Sequence, residues 1–397
     1  MVLYYSFDVY LAGIMDVSLL KENFRKHFAE EPLVVRSPGR INLIGEHTDY
    51  NEGFVLPAAI DKAVYIAISK RAGDELHWIS LDMNSRYSGS LRKIEKSGEH
   101  WPDYLLGVTD QLQKPGVTLT GFNVVLAGEV PIGAGLSSSA AVECATVFAL
   151  NEIFKLGLDK LQMVKLSQKA ENEFAGVKCG IMDQFASMFG KAGHVIQLDC
   201  RSLDYVYYPL ELKGYKIVLF DTQVKHSLAS TEYNIRREEC ERGVALLQKK
   251  YPHVKSLRDA TMQMVNEQLK NAEGRIYDRC RFVVEEIERV RQACIDLQGG
   301  NIEAFGKKMF AAHAGLSRMY EVSCEELDFL ADLAVEEPAV VGARMMGGGF
   351  GGCTINIISE SALQAVIEKF SNAYRQKFAV DLKSYIVEIK DGTSVEQ

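Results

Sequence analysis

The chain has 397 residues, 47% of them hydrophobic and 25% charged, the composition of an ordinary globular protein long enough for two cores. Its 45 Lys and Arg against 53 Asp and Glu leave a net charge of −8, and no basic block interrupts the chain, which argues against a nucleic-acid binder. The eight cysteines form no CxxC pair and no His–Cys cluster at metal-ligand spacing, so they are read as buried small hydrophobes of a reduced, cytoplasmic protein.

Residues 1–15 are apolar apart from Asp8, carry no basic leader and are too short to span a bilayer. Two readings stand: translation starting at Met15, or a native N-terminal strand. The next residues place Leu19, Leu20, Phe24 and Phe28 at helical spacing and predict an amphipathic helix. Residues 33–36 and 41–44 read as strands flanking a Pro–Gly turn, followed by strands at 63–69 and 122–126. Helices are expected at 140–154 and 160–174, the first apolar nearly all round and therefore buried. A strand at 215–221 precedes a polar helix at 231–250. Its pairs Glu232–Arg236, Arg237–Glu241 and Glu238–Arg242, each four residues apart, suggest a solvated face. Further helical stretches, one at 278–298, run to about residue 337. The end alternates again: strand 354–358, helix 361–378, strand 383–390. Such mixed order predicts an α+β fold, with a boundary near 190 dividing domains 1–190 and 191–397.

Three loops stand out. In Arg36-Ser-Pro-Gly-Arg-Ile-Asn-Leu-Ile-Gly-Glu-His-Thr-Asp-Tyr-Asn51 a short apolar strand ends in consecutive polar side chains, Glu46 to Tyr50. Such a cluster suits a hydroxyl-rich ligand, because ionised carboxylates accept strong, oriented hydrogen bonds; alternatively it is a solvated loop. In Pro131-Ile-Gly-Ala-Gly-Leu-Ser-Ser-Ser-Ala-Ala141 the glycines let the backbone curl around an anion, and the serines open a helix whose free N–H groups and dipole favour phosphate. Their hydroxyls also suit Mg²⁺, and no GK[ST] signature makes this a Walker A loop. Gly347-Gly-Gly-Phe-Gly-Gly-Cys-Thr354 matches GxGxxG formally, yet it leads into a strand-like run rather than a helix, so the dinucleotide reading fails. Its glycines imply a close approach of backbone to something, or a tight turn between core elements.

In this order and spacing the loops resemble the three motifs of the GHMP kinase superfamily. Gly39-Arg-Ile-Asn-Leu-Ile-Gly-Glu-His-Thr-Asp-Tyr-Asn51 resembles the signature of its galactokinase family, and the likeness continues through Cys179-Gly-Ile-Met-Asp-Gln-Phe185 and Ser227-Leu-Ala-Ser-Thr-Glu-Tyr233. It covers nearly the whole chain from about Leu33. The resemblance implies a two-domain GHMP kinase fold with its active site in the cleft between the domains. It also implies transfer of the γ-phosphate of ATP to the C1 hydroxyl of galactose, the committed step of galactose breakdown. It places adenine near Trp101 and Tyr104, and triphosphate on Gly133, Ala134, Gly135, Leu136, Ser137, Ser138 and Ser139. The sugar falls among Glu46, His47, Asp49, Gly180 and Tyr233, with His47 shaping the loop. Mg²⁺ falls on Ser139 and Glu171, and catalysis on Asp183 and Arg40. Neither nucleic acid nor membrane enters this picture, and a monomer is expected.

Physical chemistry fits these roles. Phosphoryl transfer needs an aligned hydroxyl, charge neutralisation and a destination for the proton. Asp183 would take or orient the C1 hydroxyl proton, and Arg40 would favour its ionised form and counter charge developing in flight. Local readings compete: Asp183 as a helix N-cap, Glu171 as a solvated helix residue, and Trp101 and Tyr104 as core aromatics. A kinase for N-acetylgalactosamine and a catalytically silent sugar sensor are the alternative functions, though the serine loop is complete.

Overall fold

The computed structural model describes residues 10–11, 14–131, 133–224 and 229–396. The helix Val17–Phe28 starts where Asp16 accepts hydrogen bonds from the N–H groups of Ser18 and Leu19, and it buries Leu20 and Phe24 completely. It lies on one face of a six-stranded sheet, ordered Ser394–Glu396, Leu33–Asn42, Pro57–Lys70, Phe122–Gly128, Glu75–Ser80, Ser85–Ser90. The strands show the period of two that this requires. Ala63, Tyr65 and Ala67 pack under that helix, while Val64, Ile66 and Ile68 face the main core on the other side.

That second face is covered by the helices Trp101–Gln113, Ser138–Phe154, Lys160–Ala170 and Met182–Phe189. As expected for an apolar, Ala-rich helix, Ser138–Phe154 is buried along most of its length. One expectation changes at Pro38 and Gly39. The chain does not turn there but continues as a single strand through an irregularity between Pro38 and Arg40. The reason is tertiary: the N–H of Arg40 donates to the carbonyl of Leu136 at 3.1 Å, so the serine loop rather than a hairpin satisfies this backbone.

In the second half an antiparallel sheet is ordered Val340–Met345, Cys353–Ser359, Tyr215–Asp221, Lys383–Val387. One face packs on Glu325–Glu336 and Leu363–Phe378 through Phe220, Leu330, Phe370 and Tyr374; the other joins the main core through Ile217, Leu219, Ile355 and Ile357. The helices Ala229–Gln248, Met262–Leu269 and Ile276–Gln298 share a further core around Phe282 and Tyr320. The expected solvated face on Ala229–Gln248 holds only in part. Arg237 pairs with Glu241 at the surface, but Arg236 is buried and donates to the carbonyls of Tyr320 and Glu321, both at 2.9 Å.

The two halves are stitched together. His194–Asp199 pairs with both Tyr205–Pro209 and Phe54–Val55. The chain's last strand, Ser394–Glu396, returns to the edge of the first sheet beside Leu33–Asn42. Gly347–Gly352 is a turn between two antiparallel strands, in keeping with rejection of the dinucleotide reading. Its glycines let backbones meet. Gly349 has φ +84°, and a Cβ there would fall 2.1 Å from the carbonyl of Val322. All eight cysteines are free, and five of them are buried. No described helix is long and apolar enough to cross a membrane.

Candidate active site

The three loops converge on a cavity of about 290 Å³. Arg40 leaves its strand into one wall and Asp183 enters from the first turn of Met182–Phe189. They form a two-pronged ion pair: Nε to Oδ1 at 2.9 Å and Nη2 to Oδ2 at 3.0 Å. The remaining Arg40 nitrogen, Nη1, donates to the carbonyl of Gly135 at 2.5 Å, and Ser137 Oγ donates to Asp183 Oδ2 at 2.5 Å. The pair is thereby tied to the Gly/Ser loop. The N-cap reading of Asp183 does not hold: Ile181 occupies the cap position, and Asp183 sits inside the helix with its carboxylate spent on Arg40 and Ser137.

The polar run Glu46–Tyr50 is no solvated loop. Glu46, His47 and Thr48 are all under 4% exposed. Both oxygens of Glu46 are committed, Oε1 to Arg344 Nη2 at 3.0 Å and the N–H of Gly347 at 2.8 Å, Oε2 to Asn42 Nδ2 at 3.0 Å. His47 shares a 2.8 Å hydrogen bond with the Tyr50 hydroxyl and packs against Tyr233 and Tyr320. Burial, reinforced by Arg236, pushes its pKa down to about 3 and keeps it neutral. Asp49 also faces the cavity; burial and the neighbouring Asp183 carboxylate push its pKa up to about 7. Gly180 is a requirement of close approach, since a Cβ there would lie 1.9 Å from Asp49 Oδ2.

Beside the sugar-sized space, Ser138–Phe154 opens at Ser137, whose φ of +56° belongs to the left-handed region and whose side chain does not cap. The first-turn N–H groups and the dipole are left for an anion. Gly133, Gly135, Leu136 and Ser137 to Ser139 line the cavity, whereas Ala134 is buried behind them against Gly352. Ser138 and Ser139 also border a second cavity of about 230 Å³, walled by Trp101, Tyr104, Val64, Met83, Val130 and Val142. An apolar slot thus continues from the polar one across the serines, the shape a nucleotide needs.

Glu171 is not solvated as its helix suggested. Lys160–Ala170 widens at Glu171 into a single loose turn, in which both Gly176 and Val177 donate to the Glu171 carbonyl. That turn buries the carboxylate, which accepts from Ser139 Oγ at 2.9 Å and from Gln184 Nε2 at 2.6 Å. Burial and Asp183 push its pKa up. Glu143, Glu171 and Asp183 therefore gather beside the serine loop, with an oxygen of Glu143 buried and unpartnered. Hard oxygen donors and surplus negative charge fit a divalent cation such as Mg²⁺. Among the described residues no cluster of three or more His, Cys, Asp or Glu is arranged to hold a metal, so phosphate and water would complete its shell.

The third loop, which the sequence marked only as a close approach of backbone or a tight turn, lines the same space through Gly347, Gly348, Gly349 and Phe350. Arg344, which clamps Glu46 and lies three residues before Gly347, carried no signal in the sequence. Tyr233 was expected and is present, although the first two residues of its motif, 227 and 228, lie outside the described residues.

A Gly/Ser phosphate loop opening a buried helix, a second Gly loop against it and an Arg–Asp pair between them are, together, the architecture of a GHMP kinase. Comparison with known proteins agrees. Residues 103–191 match the GHMP kinases N terminal domain, 284–376 the GHMP kinases C terminal domain, and 22–70 the galactokinase galactose-binding signature. The galactokinase of Thermotoga maritima is 44% identical over 358 residues, 90% of this chain and 98% of that protein; that of Clostridium acetobutylicum is 40% identical over 94% of this chain. The crystal structure of Lactococcus lactis galactokinase complexed with galactose superposes with a TM-score of 0.91 at 33% identity, covering 95% of this chain and 99% of that one. The chain belongs to the galactokinase family. It is an ATP-dependent sugar kinase.

Proposed function

We propose that Arg40 and Asp183 carry the galactokinase reaction in this chain, transfer of the γ-phosphoryl group of ATP to the C1 hydroxyl of galactose. The single observation behind this reading is that the pair faces both substrates' spaces at once: it is bonded to Gly135 and Ser137 of the phosphate loop and borders the cavity that His47, Asp49 and Tyr233 line. The C1 oxygen forms its bond to the γ-phosphorus as the bond to the β,γ-bridging oxygen breaks. The proton of the C1 hydroxyl goes to, or is oriented by, Asp183. A loose transition state asks little more of a base than alignment. Arg40 offsets the charge that develops on the transferring oxygens, with no reorganisation at the moment of reaction.

The sugar is assigned to Glu46, His47, Asp49, Gly180 and Tyr233, adenine to the slot beside Trp101 and Tyr104, and triphosphate to the N–H groups of the Gly133–Ser139 segment. Mg²⁺ is assigned to Ser139 and Glu171. When bound it would neutralise phosphate charge and hold the triphosphate in register. The reading includes a two-domain division near Gly190, with the strand Ser394–Glu396 returning to the first domain, and a reducing cytoplasmic setting, supported by eight free thiols.

The test is a sugar panel with ATP and Mg²⁺, with phosphate position read by ³¹P NMR. Galactose should be phosphorylated at C1 and glucose, its C4 epimer, far more poorly, because a displaced hydroxyl leaves buried partners unpaired. Comparable kcat/KM for the two sugars, or phosphate at C6, would overturn the sugar-site assignment.

A further inference from the structure

Behind the cavity lies a polar chain that phosphoryl transfer, as described above, does not use. Ser139 and Glu143 stand one turn apart on Ser138–Phe154 and so share a face. Glu171 projects from the loose turn beside them, and Gln184 follows Asp183 on its own helix. Gln184 Nε2 donates to Oε2 of Glu171 at 2.6 Å and to Oε2 of Glu143 at 3.1 Å. Ser139 Oγ holds the other Glu171 oxygen at 2.9 Å. Glu143 and Gln184 are both 0% exposed, and Oε1 of Glu143 has no hydrogen-bond partner.

A carboxyl group at that place is costly, since it is wholly buried and one of its oxygens has no partner. Most other buried positions of the helix hold Ala, Val, Leu or Cys, with Thr146 and Asn151 the polar exceptions, and an apolar side chain would bury at lower cost. What Glu143 supplies is an anchor. The Gln184 amide has two N–H directions, one aimed at Glu171 and one at Glu143, and the second keeps the first from rotating away. Without it the Glu171 carboxylate would keep Ser139 on one oxygen and, on the other, only the weak Cys179 thiol donor at 3.4 Å. Partners of this kind, one step behind a metal ligand, commonly set its orientation and affinity.

We propose that Glu143 is a positioning residue of the divalent-cation site: through Gln184 it fixes the orientation in which Glu171, together with Ser139, holds the metal. This rests on the assignment of Mg²⁺ to Ser139 and Glu171, and the experiment separates the two. Mn²⁺ is titrated by EPR into the full-length protein saturated with ADP, against an ADP-only blank, for the parent, Glu171→Gln, Glu143→Met and Glu143→Gln; galactose affinity is measured alongside. Glu171→Gln should weaken Mn²⁺ binding. Glu143→Met should weaken it about 10- to 100-fold with galactose affinity unchanged, while Glu143→Gln, which keeps an acceptor oxygen for Gln184, should stay close to the parent. If Glu171→Gln binds Mn²⁺ like the parent, the metal assignment itself falls. If Glu171→Gln weakens binding and Glu143→Met does not, only the positioning role is overturned. Should Glu143→Met not fold, Gln184→Met cuts the same chain from its other end and must show the same selective loss. Loss of galactose and Mn²⁺ affinity in parallel would mark the chain as mere packing and overturn the proposal.

Discussion

Asp183 is the residue on which most of the proposed chemistry converges. Its two oxygens take Arg40 in a two-pronged pair, and one of them also accepts from Ser137. Asp183→Asn should leave the fold intact, because the side chain caps nothing and an amide oxygen still accepts from Arg40. It should lower kcat by about a hundredfold or more, with the KM for ATP little changed; steady-state kinetics beside a melting curve measure this. A variant keeping more than about a tenth of parental kcat would remove the carboxylate from the mechanism. Asp49 makes a different prediction. Its pKa is about 7 in the folded protein against 3.8 for the ordinary side chain, so the folded state keeps a proton that the unfolded chain has lost. Sugar-free stability should therefore fall as pH rises from about 4 to about 7, the loss being complete above that window. Asp49→Asn should flatten this slope and raise Tm at pH 8 by a few degrees, at the cost of galactose affinity. An unchanged Tm–pH profile would show that Asp49 ionises normally.

At the level of elements, the two ends of the chain differ. Among the described residues Tyr10–Leu11 pairs only with Ile14–Met15, and the helix that follows has its cap at Asp16 and its buried anchors at Leu20 and Phe24. Deleting residues 1–13 should leave activity and Tm essentially unchanged. The other end is woven in. Thr393 Oγ1 bonds Ser37 Oγ at 2.8 Å and the Ser187 carbonyl at 2.9 Å, and Gly392 N–H donates to the Gly190 carbonyl. Ser37 lies three residues before Arg40 and Ser187 one helical turn after Asp183, so this segment ties the strand of one proposed catalytic residue to the helix of the other. Removing residues 392–397 should lower Tm by several degrees and reduce kcat; calorimetry on the two truncations tests the contrast. Elements with strong periodicity were legible in the sequence: Tyr215–Asp221 was expected with the same limits, and the Ser138–Phe154 helix to within two residues. Purely local readings failed at Pro38–Gly39, Glu171 and Arg236, where a partner distant in sequence outweighs local preference.

For the molecule as a whole, the cleft depends on the halves being locked at the sugar loop. Arg344, 0% exposed, reaches from the second half to the carbonyls of Asn42 and Leu43 and to Glu46. Arg344→Ala should cost roughly 3–5 kcal/mol, because it strands a buried carboxylate. It should also weaken galactose binding more than ATP binding, since Glu46 borders the sugar side. Denaturant titration and isothermal binding of each substrate measure both; a loss below about 1 kcal/mol would show that the clamp is dispensable.

The sequence by itself determined the α+β class, the phosphate loop and the sugar loop, because turn chemistry, periodicity and helix-start signals act over a few neighbouring residues. It also supplied the list of residues to look for, through the resemblance carried by three loops and the stretches 179–185 and 227–233. Only the tertiary structure decided how those residues are used. It ruled out the cap reading of Asp183 in favour of its ion pair with Arg40, spent Glu46 on Arg344, buried Glu171 beside Ser139, and brought Glu143 and Gln184 behind it. Each of these outcomes joins side chains from separate elements. Burial and charge pairing are properties of the packed whole, and no local stretch of sequence carries them.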